Sequence, residues 1–293
     1  MPPLFSPVLL PLDGSALSEG ILPLAIQFAE KSAQPKLTLV YVAGNASEKV
    51  NRSTGGATLT AHDYLNLVAK EAGRNSGVQV DTVVLEGKPA EEIVKYGQEK
   101  GFGLIAMATH GRSGVGRWVY GSTTDRVLQA TNLPLFIVRP NEKALREAEQ
   151  IFKSIIVALD GSELGESVLP GVEGLAKRRG LEVIVLRVVP TATMAVAGAE
   201  PYIYDPNLYS RIVDAANEYV AQKVTELIVR GVRATPKVLQ GYPPQEIIDL
   251  AEKTPGSLVV MSTHGRSGVS RWVLGSVADR VLRASARPVL LLR

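Results

Sequence analysis

The chain alternates between two hydrophobic patterns. Short apolar runs such as "PVLLPL" (7–12) and "SIIVAL" (154–159) have the length and density of strands buried on both faces. Apolar residues at helical spacing follow: after the first run, Leu17, Ile21, Leu24 and Phe28 recur at intervals of three and four, predicting a helix. Ser15 and Ser162 stand where a helix N-cap belongs. "KLTLVYV" and "LEVIVLRVV", rich in aliphatic and β-branched residues, predict second strands. Second helices are predicted in "ATLTAHDYLNLVAKEAGR" and "DPNLYSRIVDAANEYVAQKVTELIVR". Third strands end at Gly87 and Gly241, and third helices start at the prolines just beyond, where a missing N–H costs nothing. "GLIAMAT" and "SLVVMST" read as fourth strands, each followed by a glycine-rich loop and a helix; "LPLFIVR" and "RPVLLLR" are the last strands. The predicted order is β-α-β-α-β-α-β-α-β, twice. Strands without clean alternation, spaced by helices, imply an open parallel sheet of five strands in each copy with helices on both faces.

The two halves are copies. Asp13 and Pro23 return as Asp160 and Pro170, Gly87 as Gly241, and Met107 to Arg139 matches Met261 to Arg293 at 20 of 33 positions. The offset grows along the chain, so the second copy carries extra residues in its middle. A period this long indicates duplicated domains rather than a solenoid of short units. The expected division is a first domain at 1–140, a polar linker at 141–150 and a second domain at 151–293, within a chain of 293 residues that is comfortable for two cores.

Composition narrows the chemistry. The chain has no cysteine, which excludes disulfides, thiolate catalysis and cysteine-based metal sites. A formal charge of +3 is only mildly basic, and the Lys and Arg residues are scattered rather than gathered as nucleic-acid binding requires. The first residues carry an apolar run without a basic flank or cleavage site, and no run reaches the length of a membrane helix. The expectation is a cytoplasmic protein.

The loop after the fourth strand carries the candidate chemistry. Gly111 and Gly114 permit close backbone approach, Arg112 and Arg117 bring positive charge, and Gly121 and Ser122 open a helix. A glycine-rich loop feeding a helix N-terminus is an anion site, with Ser122 placed to cap the helix and to donate to a phosphate oxygen. The second copy repeats it with Gly265, Arg266, Gly268, Arg271, Gly275 and Ser276. At the end of strand one, "LDGS" puts Asp13 and Asp160 at the same sheet edge, where carboxylates of α/β nucleotide sites accept ribose hydroxyls. A phosphate loop with a carboxylate predicts a nucleotide ligand. Asp13 and Asp160 have a second reading as local helix-capping groups.

With these residues the chain resembles a tandem universal stress protein along both halves. That family's ATP-binding signature is Gly, two residues, Gly, nine residues, Gly, then Ser or Thr. Gly111, Gly121 and Ser122 match it, as do Gly265, Gly275 and Ser276, while the first glycine is Ala108 in one copy and Ser262 in the other. The resemblance implies Rossmann-like domains of the adenine-nucleotide alpha-hydrolase type, binding ATP, with Mg²⁺ held mostly by phosphates and water. It implies base contacts at Val42 and Val188 and at Met107 and Met261. Pro11 and Leu12 lead into Asp13, and Ala158 and Leu159 into Asp160, which would hold the ribose. Thr123 and Val277 would add backbone N–H groups to the phosphate cradle. It further implies that the last strands pair into an intramolecular pseudo-dimer, with a homodimer of chains open.

His110 and His264 have no partner set for a metal or a triad and read as structural; Trp118 and Trp272 read as packing residues. "GFGLIA" at Gly101 precedes a strand, whereas a dinucleotide fingerprint follows one, and no Walker motif is present. The segments 43–58 and 190–206 are candidate lids, and their divergence is where the two sites would differ. The leading expectation is an ATP-binding regulatory or stress-response protein. An interaction module with a vestigial site, or a slow ATP-hydrolysing or nucleotidyl-transfer enzyme, are the alternatives.

Overall fold

The computed structural model describes residues 5–30, 36–45, 48–74, 76–109, 121–139, 152–191, 207–263 and 274–293. The chain forms two compact units, Met1–Ile151 and Phe152–Arg293. Both are α/β.

In the first unit the strands are β1 (Val8–Pro11), β2 (Lys36–Ala43), β3 (Lys49–Asn51), β4 (Thr58–Thr60), β5 (Gln79–Glu86), β6 (Leu104–Ala108) and β7 (Leu135–Val138). Five of them form a parallel sheet in the order β5-β2-β1-β6-β7, with Val8 opposite Leu37 on one side and Leu104 on the other. Val8, Leu9 and Leu10 are fully buried, which is why the central strand shows no apolar-polar alternation. β5, at the edge, is only half-covered and ends in exposed residues.

The helices are α1 (Ala16–Glu19), α2 (Leu22–Glu30), α3 (Ala61–Gly73), α4 (Pro89–Glu99) and α5 (Ser122–Ala130). Right-handed crossovers place α1, α2 and α3 over one face and α4 and α5 over the other, and α4 packs against α5. Phe28 of α2 meets Phe136 of β7 at 4.6 Å and Phe5 edge-on at 6.1 Å, an aromatic cluster beneath the sheet.

Two local features depart from the sequence expectation. The first helix is broken into α1 and α2. Pro23 lacks the N–H that would bond the carbonyl of Glu19, and its ring crowds that carbonyl, so the helix restarts at Leu22. The segment expected as a loop lid, 43–58, forms most of an antiparallel hairpin that runs on to Thr60, with Val50 opposite Leu59 and Asn51 opposite Thr58. Thr60, read from sequence as helical, ends β4 and caps α3 by accepting the Asp63 N–H at 3.2 Å.

The second unit repeats the sheet with β8 (Ser154–Ala158), β9 (Glu182–Val189), β10 (Ala234–Gln240), β11 (Ser257–Ser262) and β12 (Val289–Leu292) in the order β10-β9-β8-β11-β12, all parallel. Pro236 lies in β10, the edge strand, where one missing ladder donor is tolerated. Its helices are α6 (Glu163–Glu166), α7 (Leu169–Arg179), α8 (Leu208–Val229), α9 (Pro243–Lys253) and α10 (Ser276–Ala284). The split between α6 and α7 falls beside Pro170, as in the first unit. The extra residues of this copy include the longer α8. Among the described residues no helix is long and apolar enough to cross a membrane.

Candidate functional site

In each unit the strand order reverses between the first and fourth strands of the sheet, β1 and β6 or β8 and β11. Neighbouring connections leave in opposite directions there, opening a crevice beyond the carboxyl ends of the strands. The last ladder bonds of the first strands are Leu12 N–H to Val40 C=O at 2.8 Å and Leu159 N–H to Leu186 C=O at 2.9 Å. The chain then turns sharply at Gly14 (φ +84°) and Gly161 (φ +81°), a left-handed backbone that glycine adopts without a steric penalty.

That turn holds the aspartates. Asp13 Oδ1 accepts the Ser15 N–H at 3.0 Å, the Ser15 hydroxyl at 2.5 Å and the Ser18 hydroxyl at 2.7 Å. The helix N-cap is Ser15, whose Oγ accepts the Ser18 N–H at 3.2 Å. In the second unit Asp160 Oδ1 accepts the Ser162 N–H at 3.0 Å and hydroxyl at 2.6 Å, and Ser162 caps α6 through the Gly165 N–H at 3.0 Å. Each aspartate therefore does not cap the helix itself; it is oriented by the serine that does. Gly165 stands where the first unit has Ser18. A β-carbon there would lie 2.5 Å from Asp160 Oδ1, so the second aspartate occupies space that a side chain would take.

Across the crevice the fourth strand hands over to a helix. Thr109 N–H bonds Val138 C=O and Gly121 N–H bonds Thr109 C=O, both at 2.9 Å. The first bond of α5 is Asp125 N–H to Gly121 C=O at 3.1 Å, so the N–H groups of Ser122, Thr123 and Thr124 precede any intrahelical donor. The N-cap is Gly121, and Ser122 is already the first helical residue, which corrects the expectation that Ser122 caps the helix. Gly275 and Ser276 show the same shift in α10. A residue with helical backbone at that position no longer has the extended geometry from which a side-chain oxygen reaches back to the N–H groups. Thr124 instead ties the helix start to β6, its hydroxyl donating to Ala108 C=O at 3.0 Å.

These elements enclose a cavity of about 410 Å³ in the first unit and one of about 370 Å³ in the second. Pro11, Leu12, Asp13, Val42, Met107, Ala108, Gly121, Ser122 and Thr123 line the first. Ala158, Leu159, Asp160, Val188, Met261, Ser262, Gly275, Ser276 and Val277 line the second. Ile93 of α4 and Ile247 of α9 supply apolar floor. Ala108 and Ser262, standing where the signature has glycine, sit within β6 and β11, and no non-glycine described residue has positive φ. Alanine and serine are therefore unstrained there. Gly111, Gly114, Arg112, Arg117, Gly265, Gly268, Arg266 and Arg271 lie outside the described residues, as do His110, His264, Trp118 and Trp272.

The cavities also recruit residues that the sequence reading passed over. In the first unit the Glu48 carboxylate accepts the Tyr41 hydroxyl at 2.8 Å and the Gly44 N–H at 2.6 Å, and all three line the cavity. In the second unit the residue matching Tyr41, one before Val188, is Arg187; it lines the cavity with its guanidinium 4.8 Å over the Tyr219 ring. The available signal was proximity, since both residues adjoin the valines assigned to the base. Glu48 carries no comparable signal, being one acidic residue in a polar loop.

Behind the cavities, matching glutamates anchor different cations. Glu19 binds Arg52, the residue that follows β3, at 2.9 Å, and Glu71 of α3 binds the same guanidinium at 2.7 Å. The hydrogen bond from Arg52 holds the Glu71 carboxyl below the usual carboxylate range. Glu166 binds Lys223 of α8 at 2.7 Å and accepts the Tyr219 hydroxyl at 2.8 Å. Burial opposes its charge, yet those two hydrogen bonds keep its carboxyl below the usual range, while burial and Glu166 push the Tyr219 hydroxyl up.

The model of the universal stress protein family matches this chain twice, over residues 5–139 and 151–293. A universal stress protein of Methanocaldococcus jannaschii, MJ0531, is 31% identical over 150 residues, covering 51% of this chain and 86% of its own length. The Mycobacterium tuberculosis universal stress protein Rv2005c is 23% identical over 231 residues, covering 77% of this chain and 73% of its own. Among solved structures, a universal stress protein from Archaeoglobus fulgidus covers 98% of this chain and 95% of its own, with a TM-score of 0.69 at 19% identity, a likeness of fold. Two family matches that together span nearly the whole chain place this protein in the universal stress protein family.

Proposed function

We propose that one or both domains bind an adenine nucleotide, ATP with Mg²⁺ in the first instance, and that the protein acts as a nucleotide-dependent regulator in a stress response. One observation carries the reading. In both units the crevice faces a fixed aspartate across from three leading N–H groups of a helix, within a cavity of nucleotide size. The helix N-terminus favours phosphate oxygens through its unspent donors and its dipole. Asp13 and Asp160, each with Oδ1 engaged by the serine turn, present an oriented carboxylate to ribose hydroxyls. Val42 and Val188 at the strand ends offer backbone groups to the base, against Met107 and Met261. In this reading the metal is held by phosphate and water rather than by a protein cage.

Calorimetric titration of nucleotide-stripped protein with ATP and Mg²⁺ tests the reading, beside the Gly121→Val/Gly275→Val double variant. Gly121 and Gly275 have φ near −58° and −57°, so valine adds bulk over the cradle without backbone strain; its poorer N-capping costs up to about 1 kcal/mol. Micromolar binding that the double variant loses supports the reading. No heat with ATP, and no thermal shift with other nucleotides, would leave an interaction module with a vestigial site.

A further inference from the structure

The two cavities share their architecture but not their charge. The first is lined by two carboxylates, Asp13 and Glu48, and by no basic side chain among its described residues. Among its described residues the second is lined by one carboxylate, Asp160, and one guanidinium, Arg187. The glycine-rich loops do not offset this, because both carry arginine at matching places, Arg112 with Arg117 and Arg266 with Arg271.

Both differing groups are held in place. Glu48 is fixed at the strand end by the Tyr41 hydroxyl and the Gly44 N–H, two residues beyond Val42. The Arg187 guanidinium lies over Tyr219 and passes against Gly161, where a β-carbon would stand 2.7 Å from its Nη1, so it is beside the Asp160 turn. A cavity of about 400 Å³ keeps every point of a bound ligand within roughly a Debye length of these charges, and its walls screen them less than open water does.

Resting on the nucleotide reading above, we infer that Glu48 and Arg187 make the two sites unequal toward phosphate charge. The second domain is the tight site for polyphosphorylated nucleotides. The first discriminates against them and takes them only when cation-loaded or at high concentration. The carboxylate of Glu48 raises the cost of each added phosphate in one cavity, and Arg187 lowers it in the other. A neutral nucleoside meets neither effect and sees two similar pockets.

The experiment is calorimetric titration of the full chain with adenosine, AMP, ADP and ATP. Gly121→Val and Gly275→Val, each alone, assign heats to domains. The expected result is near-equal adenosine affinities and an ATP preference for the second domain of about tenfold or more, shrinking as salt is raised. Glu48→Gln, which keeps the side-chain length and an acceptor oxygen, should raise ATP affinity at the first site by about tenfold and shift adenosine affinity by a much smaller factor. Arg187→Gln should lower ATP affinity at the second site by a similar factor. Equal ATP affinities at both sites overturn the inference while leaving the nucleotide reading intact, as do Glu48→Gln and Arg187→Gln effects as large on adenosine as on ATP. Absence of binding by every nucleotide in parent and variants overturns both.

Discussion

Nη2 of Arg52 stands 2.9 Å from Oε2 of Glu19, and both side chains are almost closed to solvent. Arg52 comes from the β3–β4 hairpin and Glu19 from α1, so this pair fastens the hairpin onto the first domain beside the Asp13 turn. A backbone bond from the Ser53 N–H to Gly14 C=O at 2.9 Å adds a second fastening.

Removing one member of a largely buried pair strands the other charge without water or partner. Arg52→Met is expected to destabilise the first domain by about 2–3 kcal/mol. Thermal unfolding checks this, and limited proteolysis should cut the exposed 53–57 tip faster. Glu71 is nearly half exposed on the same guanidinium, so Glu71→Gln should cost no more than about 1 kcal/mol. An Arg52→Met protein as stable as the parent would show that the clamp is not structural.

The same clusters give acid sensitivity a direction. The Glu71 and Glu166 carboxyls sit below their ordinary range in the folded protein, Glu71 through Arg52 and Glu166 through Lys223 and Tyr219 against burial. A depressed folded pKa means that the unfolded chain takes up protons first as pH falls. Their stabilisation is complete above the ordinary carboxylate range and is lost on acidification through the folded values. Denaturation midpoints measured across about pH 6 to 3 should fall, and Glu166→Gln should flatten the slope. An unchanged slope in that variant would remove Glu166 from the account.

Gly165 is the point where the second domain has no room to mimic the first. Gly165→Ala places a β-carbon about 2.5 Å from Asp160 Oδ1, so the carboxylate must rotate or the turn must shift. We expect a loss of about 1–2 kcal/mol in stability. On the nucleotide reading, ribose-containing ligands should also bind the second domain about tenfold more weakly, while the first domain is unchanged. Calorimetry on the single variant checks both. Unaltered binding would argue that Asp160 does not touch the ligand.

Phe28 joins Phe5 and Phe136 in one aromatic cluster and is itself largely buried. Phe28→Ala leaves a ring-sized void between α2 and β7 and should cost about 3–4 kcal/mol, read as a lower denaturant midpoint with an unchanged slope. A loss below about 1 kcal/mol would mean that the site collapses readily around the gap.

The order of strands and helices was legible because burial on both faces leaves unbroken apolar runs, and because Pro89 and Pro243 mark helix starts through a missing N–H. The helix break was written at Pro23 and Pro170 as well, but the apolar spacing of Leu17, Ile21, Leu24 and Phe28 reads continuously across it. The β3–β4 hairpin was not legible. Its strands have three residues each, too few for a period to appear, and Arg52 gains its place from Glu19 and Glu71, both distant in the chain.

At the candidate site the division is similar. By itself the sequence determined the duplication, the parallel α/β order, and the glycines, serines and aspartates at the strand ends, because these depend on local backbone demands that residue types record directly. Only the tertiary structure decided that Gly121 and not Ser122 is the cap, that Ala108 stays in an extended strand, and that Glu48 lines one cavity where Arg187 lines the other. Those outcomes depend on where two segments distant along the chain meet, and no local pattern of hydrophobic and polar residues carries that information.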